Sequence, residues 1–297
     1  MPILLEEDLQ RPLPKMYRVR QQFDETCLTD IEGTVRRELA KSEICALVKP
    51  GMRVAVGVGS RGIQNLSCIV ETTVKGLKEL GAKPFIVSAM GSHGGGTEEG
   101  QREVLAGYGV TEERLGVPVV TTVDTVHLGD CANGRPVWFD RAAYEADLIV
   151  PINRVKLHTD FVGPIQSGLC KMLVIGLGNH KGCSAVHEEA PEVFADVIEE
   201  TARLILKKAP IGFGIAILEN AYDKTYAVEA VPAEGLIERE KELVQIARGN
   251  MPYIMLDEAD VIVCDEIGKD ISGAGFDPNI LGRSSVLKKF VLHIPKY

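Results

Sequence analysis

Residues 53–96 read RVAVGVGSRGIQNLSCIVETTVKGLKELGAKPFIVSAMGSHGGG, and their hydrophobic period changes twice. RVAVGVG (53–59) is an apolar run of buried-strand length. From Asn65 the period lengthens, with Ile69, Val70, Thr73, Val74 and Leu77 on one helical face and Gly81 as the stop. PFIVSAM (84–90) is apolar again and ends in the glycine-rich GSHGGG. Strand, helix and strand in quick succession read as a βαβ unit, whose two strands must lie parallel.

The same alternation continues on both sides of this unit. TEEGQREVLAGYG (97–109) offers Thr97 as N-cap, acids in its first turn and a closing Gly109. VVTTV (119–123) and ADLIVPIN (146–153) read as strands. APEVFADVIEETARLILKKAP (190–210) is a helix with Val193, Phe194, Val197, Ile198 and Ile205 on its apolar side, Lys207 and Lys208 at its C-terminus and Pro210 ending it. GFGIAILEN (212–220) predicts a strand, IEREKELVQIARG (237–249) a polar helix and ADVIVCD (259–265) a further strand. The expected fold is α/β: a parallel-sheet, Rossmann-like N-terminal domain over 1–250 and the start of a second, truncated α/β domain over 251–297. Residues after 260 are loop-rich, too few for a core of their own.

Composition narrows the function. The 297 residues are 45% hydrophobic and carry a net charge of −9, with no Lys/Arg block, which disfavours nucleic acid and anionic membranes as partners. Seven scattered cysteines without C-x-x-C disfavour a disulfide framework or structural zinc and fit a reducing cytoplasm. The start, MPILLEEDLQRPLPKMY, lacks a signal-peptide pattern. A cytoplasmic protein acting on a small molecule is expected, with a homo-oligomer left open.

In a parallel sheet the loops after the strands share the carboxyl edge, where ligands bind. That edge would gather Arg61, His93, and Lys156 with His158 from three distant stretches. GLCKMLVIGLGNHKGCSAVHEEA (168–190) adds an apolar strand bordered by Lys171 and then a glycine-rich turn with His180 and His187. Taken one at a time these signals are ambiguous. GSHGGG resembles an esterase oxyanion loop, but the sequence has no G-x-S-x-G nucleophile. GLGNHKG, with Gly176, Gly178 and Gly182, is either a loosened dinucleotide fingerprint or a tight turn. The two histidines match no familiar zinc spacing. Lys171 alone reads as a snorkelling lysine.

Taken together, the residues Gly59-Ser60-Arg61, Gly91-Ser92-His93, Lys156-Leu157-His158 and Ser167-Gly168-Leu169-Cys170-Lys171, with His187 sixteen positions further on, resemble the nickel-dependent lactate racemase family. The resemblance implies a nickel-pincer nucleotide joined covalently to Lys171, with His187 as the protein ligand to Ni(II). It also implies that Gly176, Gly178 and Gly182 admit the nucleotide. Soft sulfur donors plus imidazole suit nickel. By the same resemblance His93 and His158 exchange acid and base roles on a 2-hydroxyacid during reversible hydride transfer, Arg61 holds the carboxylate, and cofactor-biosynthesis enzymes are partners. The family's first loop reads Asp-x-Thr-Arg-Pro, whereas Val58-Gly59-Ser60-Arg61-Gly62 lacks the aspartate and the proline. The expected substrate is therefore a 2-hydroxyacid or sugar acid rather than lactate specifically. A non-catalytic nucleotide- or metabolite-binding protein of the same fold, and an NAD-type dehydrogenase using GLGNHKG, are the rival readings.

Overall fold

The computed structural model describes residues 7, 10–12, 15–60, 62–256, 258, 259, 261–268 and 275–282. Its centre is a six-stranded sheet. In chain order the strands of the molecule are β1 (Arg53–Val58), β2 (Lys83–Ser88), β3 (Val119–Val120), β4 (Thr125–Asp130), β5 (Pro136–Asp140), β6 (Leu148–Arg154), β7 (Phe213–Glu219) and β8 (Thr225–Pro232). The sheet order is β3-β2-β1-β6-β7-β8, and β4 and β5 form a separate antiparallel ribbon. All neighbours in the sheet are parallel except β7 and β8.

Alternation along β1 assigns the two faces. Val54, Val56 and Val58 enter one apolar cluster and Ala55 the other, as a period of two requires. The first face is covered by α1 (Ile31–Leu39), α2 (Leu66–Glu79) and α3 (Glu98–Gly107). α2 packs Ile69, Val70, Val74 and Leu77 inward, the face that the sequence spacing predicts. Thr97 caps α3 by accepting from the Gly100 amide at 3.2 Å. The opposite face carries the ribbon, α4 (Asn179–His187), α5 (Phe194–Lys208) and α6 (Leu236–Gly249). No described helix is long and apolar enough to cross a membrane.

Two expectations need correction. MLVIGLG is not a strand: Leu169–Lys171 form an α-turn and Met172–Gly176 continue it as a π-helix. Met172, Leu173 and Val174 are all buried, so this short element is apolar all round, and periodicity cannot separate such a segment from a central strand. In ADVIVCD, no strand forms among the described residues. Val261 and Val263 are 74% and 70% exposed, so among the described residues the apolar run has nothing to bury against.

Candidate functional site

The sheet order places a topological switch between β1 and β6. From β1 the chain builds outward through β2 to β3, and from β6 it builds the other way through β7. The carboxyl ends at such a switch form a crevice because the following loops leave in opposite directions. Ser60 follows β1, His93 follows β2, and Lys156 and His158 follow β6.

The first two loops meet directly, through a hydrogen bond between Ser60 Oγ and His93 Nδ1. Gln101, fully buried on α3, fixes the His93 loop. Its amide nitrogen donates to Gly91 O at 3.1 Å while its carbonyl accepts from Ser88 Oγ at 2.6 Å. Gly94, Gly95 and Gly96 all have φ between +63° and +68°, a region that side chains resist. The GGG run therefore has a conformational cause.

The third loop is braced from within. A bridge pairs Lys156 with Ser167 through bonds of 2.8 and 3.2 Å. Inside it, the buried Gln166 accepts from the His158 amide at 2.7 Å and donates to Gly163 O at 3.1 Å. His158 stacks on Phe161 with centroids 4.2 Å apart. Its Nδ1 accepts from the Asp160 amide at 3.0 Å, and its Nε2 stands 2.6 Å from Lys171 Nζ. Spacing placed only His158 on the rim, and the resemblance alone tied Lys171 to the site; the structure puts the two side chains in hydrogen-bond contact.

Lys171 projects from the helical segment that crosses the rim. The Gly91 amide donates to Gly176 O at 3.0 Å, and a Cβ on Gly176 would lie 2.7 Å from Ala89 O, so glycine lets the segment sit on the end of β2. Below it lies Glu240 of α6, which accepts from the Cys170 amide at 2.8 Å. A Cβ on Gly168 would come within 2.6 Å of that carboxylate. Burial raises Glu240 from the usual carboxylic range to about 7, although the amide bonds from Cys170 and Leu169 pull the other way.

His187 ends α4. Its Nδ1 lies 2.7 Å from Cys183 O and 3.5 Å from Cys183 Sγ. The hydrogen bond with Cys183 raises the His187 pKa above the usual histidine value, against burial and the nearby Lys171. Burial alone would raise the Cys183 thiol, but the bonds to His187 and Ser92 outweigh it and lower it. Ser92 Oγ, beside His93, is 3.7 Å from Cys183 Sγ. Phe194 lies edge-on to both His187 and Phe161, at 5.6 Å in each case, and so joins the His187 end to the His158 loop. At the other end of α4, Asn179 takes the left-handed conformation at φ +50° and donates to Asp140 Oδ2 at 2.9 Å.

Hence His93, His158, Lys171 and His187 gather around one rim. Gly178 and Gly182 are buried, and the space where their side chains would stand is taken by Val174 O at 2.3 Å and Trp138 O at 3.2 Å. These two glycines face the protein's own backbone. Arg61 lies outside the described residues. His180 is exposed and turned away from this rim, lining an open cavity of about 770 Å³ with Trp138 and Lys181. Sequence reasoning missed three residues. Glu240 sits in an I-E-R-E-K-E run that reads as solvated. Cys183 gave one available signal, its i, i+4 relation to His187. Asn279 is buried, and its Nδ2 donates to His158 O at 2.9 Å.

The sheet order defines an α/β protein with a topological switch at the carboxyl edge of its sheet. Comparison with known proteins agrees. The lactate racemase N-terminal domain family matches residues 12–195, and the chain belongs to that family. Among solved structures it is similar to the lactate racemase apoprotein from Thermoanaerobacterium thermosaccharolyticum, with 14% identity and a TM-score of 0.59 over 76% of this chain. This likeness supports the fold, and the chain spans 58% of the length of that structure. No curated protein matches.

Proposed function

We propose that this chain racemises or epimerises a 2-hydroxyacid, with residues 1–250 forming the cofactor- and substrate-binding domain and 251–297 beginning a second domain. The observation that carries the reading is the convergence of Lys171, His158 and His187 from separate elements onto one rim, with Nζ of Lys171 2.6 Å from Nε2 of His158.

The donor set fits a nickel-pincer nucleotide. With Nδ1–H of His187 given to Cys183 O, Nε2 keeps its lone pair for a metal, as a carbonyl bonded to the other ring nitrogen of a metal-binding histidine enforces. Among the described residues no group of three or more His, Cys, Asp or Glu stands together, so a metal beside His187 would take most of its donors from the bound group. Lys171 supplies an amine for covalent attachment. When bound, such a group supplies the metal and a hydride acceptor. Gly176, Gly178 and Gly182 contribute by packing the segment between Lys171 and His187 tightly against the rim and the ribbon.

The remaining steps belong to side chains. Once Lys171 is acylated, Nε2 of His158 is released to serve the substrate hydroxyl, and His93 serves it from the loop after β2. Imidazoles exchange acid and base roles near neutral pH, which a reaction run in both directions needs. Arg61 binds the carboxylate with a planar fork. The net charge of −9 suits a small substrate better than nucleic acid or an anionic membrane, and the cytoplasm is the proposed setting.

The test is intact mass and peptide mapping of protein co-produced with the cofactor-making enzymes and nickel. An adduct on Lys171, absent from Lys171→Ala, and stereochemical inversion of a 2-hydroxyacid are expected. An unmodified Lys171 under those conditions would reject the reading.

A further inference from the structure

We infer that the cavity at the end of β7, apart from the rim, is a second binding site, built for a small aromatic carboxylate. The cavity holds about 650 Å³, within the range of small-molecule sites. It lies between residues 22–24 of the N-terminal stretch, the turn from β7 to β8, the last turn of α6 and the chain that follows it to Met255. None of His93, His158, Lys171 or His187 lines it.

Its walls are tied together by the protein's own hydrogen bonds. Asn220, which follows β7, donates from Nδ2 to Thr26 O at 3.1 Å and accepts the Tyr222 and Lys224 amides at 2.9 and 3.1 Å. Asn250 donates to Glu219 O at 3.2 Å. Gln21 donates to Tyr253 O at 3.2 Å and accepts the Met255 amide at 2.6 Å, so the N-terminal stretch and the one after α6 are joined although 232 and 234 positions separate them. A site formed in advance loses little to ordering when it binds.

The lining sets the class of ligand. Phe23, Tyr226 and Tyr253, with Met251, offer flat apolar surface to an aromatic body. Arg248 is the one cation among the described lining residues. Its Nε is buried and has no hydrogen-bond partner, and a buried donor left unpaired is costly. The acids nearby are engaged elsewhere. Asp24 accepts from the Thr26 amide and hydroxyl at 2.8 and 2.6 Å, Glu219 pairs with Arg154, and Asp277 accepts from the amide and side chain of Asn279 at 2.8 and 3.0 Å. The charge of Arg248 is felt inside the cavity: burial raises the Tyr253 phenol, Arg248 opposes that rise and Asp277 adds to it. A guanidinium with its Nε edge open takes a carboxylate side-on through two parallel N–H donors. One cation beside three rings matches one negative charge on an aromatic body. Inorganic phosphate would leave the rings uncovered, and a neutral ring compound would leave Nε unpaired.

The test titrates the full chain, free of cofactor, with indole-3-acetate, with the corresponding alcohol indole-3-ethanol and with inorganic phosphate, by calorimetry and by amide NMR shifts. Indole-3-acetate is expected to bind with a Kd of about 1 mM or below. It should bind at least about 10-fold more tightly than the alcohol, the scale of a hydrogen bond to a charged group, and phosphate alone should not bind. The amides of Gly249, Asn250 and Met251 should shift while those of Gly91, Ser92 and His93 stay in place. Arg248→Gln, with folding checked by circular dichroism, should weaken indole-3-acetate at least about 10-fold and leave the alcohol unchanged. Equal affinity for acid and alcohol, phosphate binding as tightly as the acid, shifts confined to the rim, or Arg248→Gln binding the acid as before would each overturn the inference. The contrast between acid and alcohol is measured in the unmodified chain, so it decides the matter even where the variant does not fold. The inference rests on neither Lys171 nor nickel. Tight indole-3-acetate binding with no adduct on Lys171 would sink only the function proposed above, and normal loading without indole-3-acetate binding only this inference.

Discussion

Residues 169–187 and α5 run beside each other on the same face of the sheet, yet they are built on opposite rules. α5 is a regular amphipathic helix. Phe194, Val197, Ile198, Thr201 and Ile205 face inward, and Arg203 reaches Glu199 one turn away on the solvent side at 2.6 Å. The 169–187 segment changes pitch twice, from an α-turn to a π-helix to α4, and is buried along most of its length. Its polar groups meet partners distant in sequence: Glu240 below Cys170, His158 on Lys171, Asp140 on Asn179. Side-chain packing accounts for α5. The irregular segment is held by backbone contacts at glycines, and the reactive groups stand there. π-bulges gather at functional sites for this reason, since the change in pitch aims side chains that a regular helix would leave elsewhere.

The largest effect that separates the two is on stability. Ile198→Ala in α5 should cost about 2–5 kcal/mol in urea unfolding, as a buried large-to-small change, while adduct formation on Lys171 in the folded, co-produced protein stays unchanged. A parallel loss of the adduct would show that the two helices are one unit. Next is Glu240. Its folded pKa, about 7, exceeds the value of 4.5 for an unperturbed group. The folded state therefore holds the proton more tightly, and this contribution is complete below about 4.5 and lost as pH rises through about 7. Wild type should lose on the order of 3 kcal/mol relative to Glu240→Gln between pH 4.5 and 8. Stability curves that stay parallel across that range would remove Glu240 from the account.

A smaller and sharper test is Gly178→Ala. Helix propensity favours the change by roughly 0.5–1 kcal/mol, but the new methyl would lie 2.3 Å from Val174 O. The clash with backbone wins, and a net loss of about 1–3 kcal/mol is expected by thermal unfolding. A stabilised variant would mean the irregular segment can relax. Least of all, Arg203→Ala on α5 removes exposed ion pairs to Glu199 and Glu238. It should shift stability by less than about 1 kcal/mol, and less again in high salt.

Sequence legibility follows the same division. β1, α2, β2, α3, β6, α5 and β7 each carry a clean period with caps or stops, and their loops could be assigned to one edge before any coordinates. Lys171, His158 and His187 were legible through resemblance to a family, and spacing alone left each of them ambiguous. The ribbon β4–β5 and the antiparallel β8 were not read. TVHLGD at Thr125–Asp130 is half exposed and shows no clean alternation. β8 returns directly beside β7, where only tertiary pairing distinguishes it from a loop. Glu240 was invisible because a buried carboxylate is defined by the amides above it, which come from residues some seventy positions earlier.

The π-helix at Met172–Gly176 contains one residue more than an α-helix of the same rise. Deleting that residue would let a regular helix run through, and would swing everything beyond it by about 100° relative to Lys171. His187 would then leave the rim while the hydrophobic composition of the segment hardly changed. In genetic terms the alignment of lysine and histidine depends on a single codon, one whose loss would leave an ordinary buried helix behind.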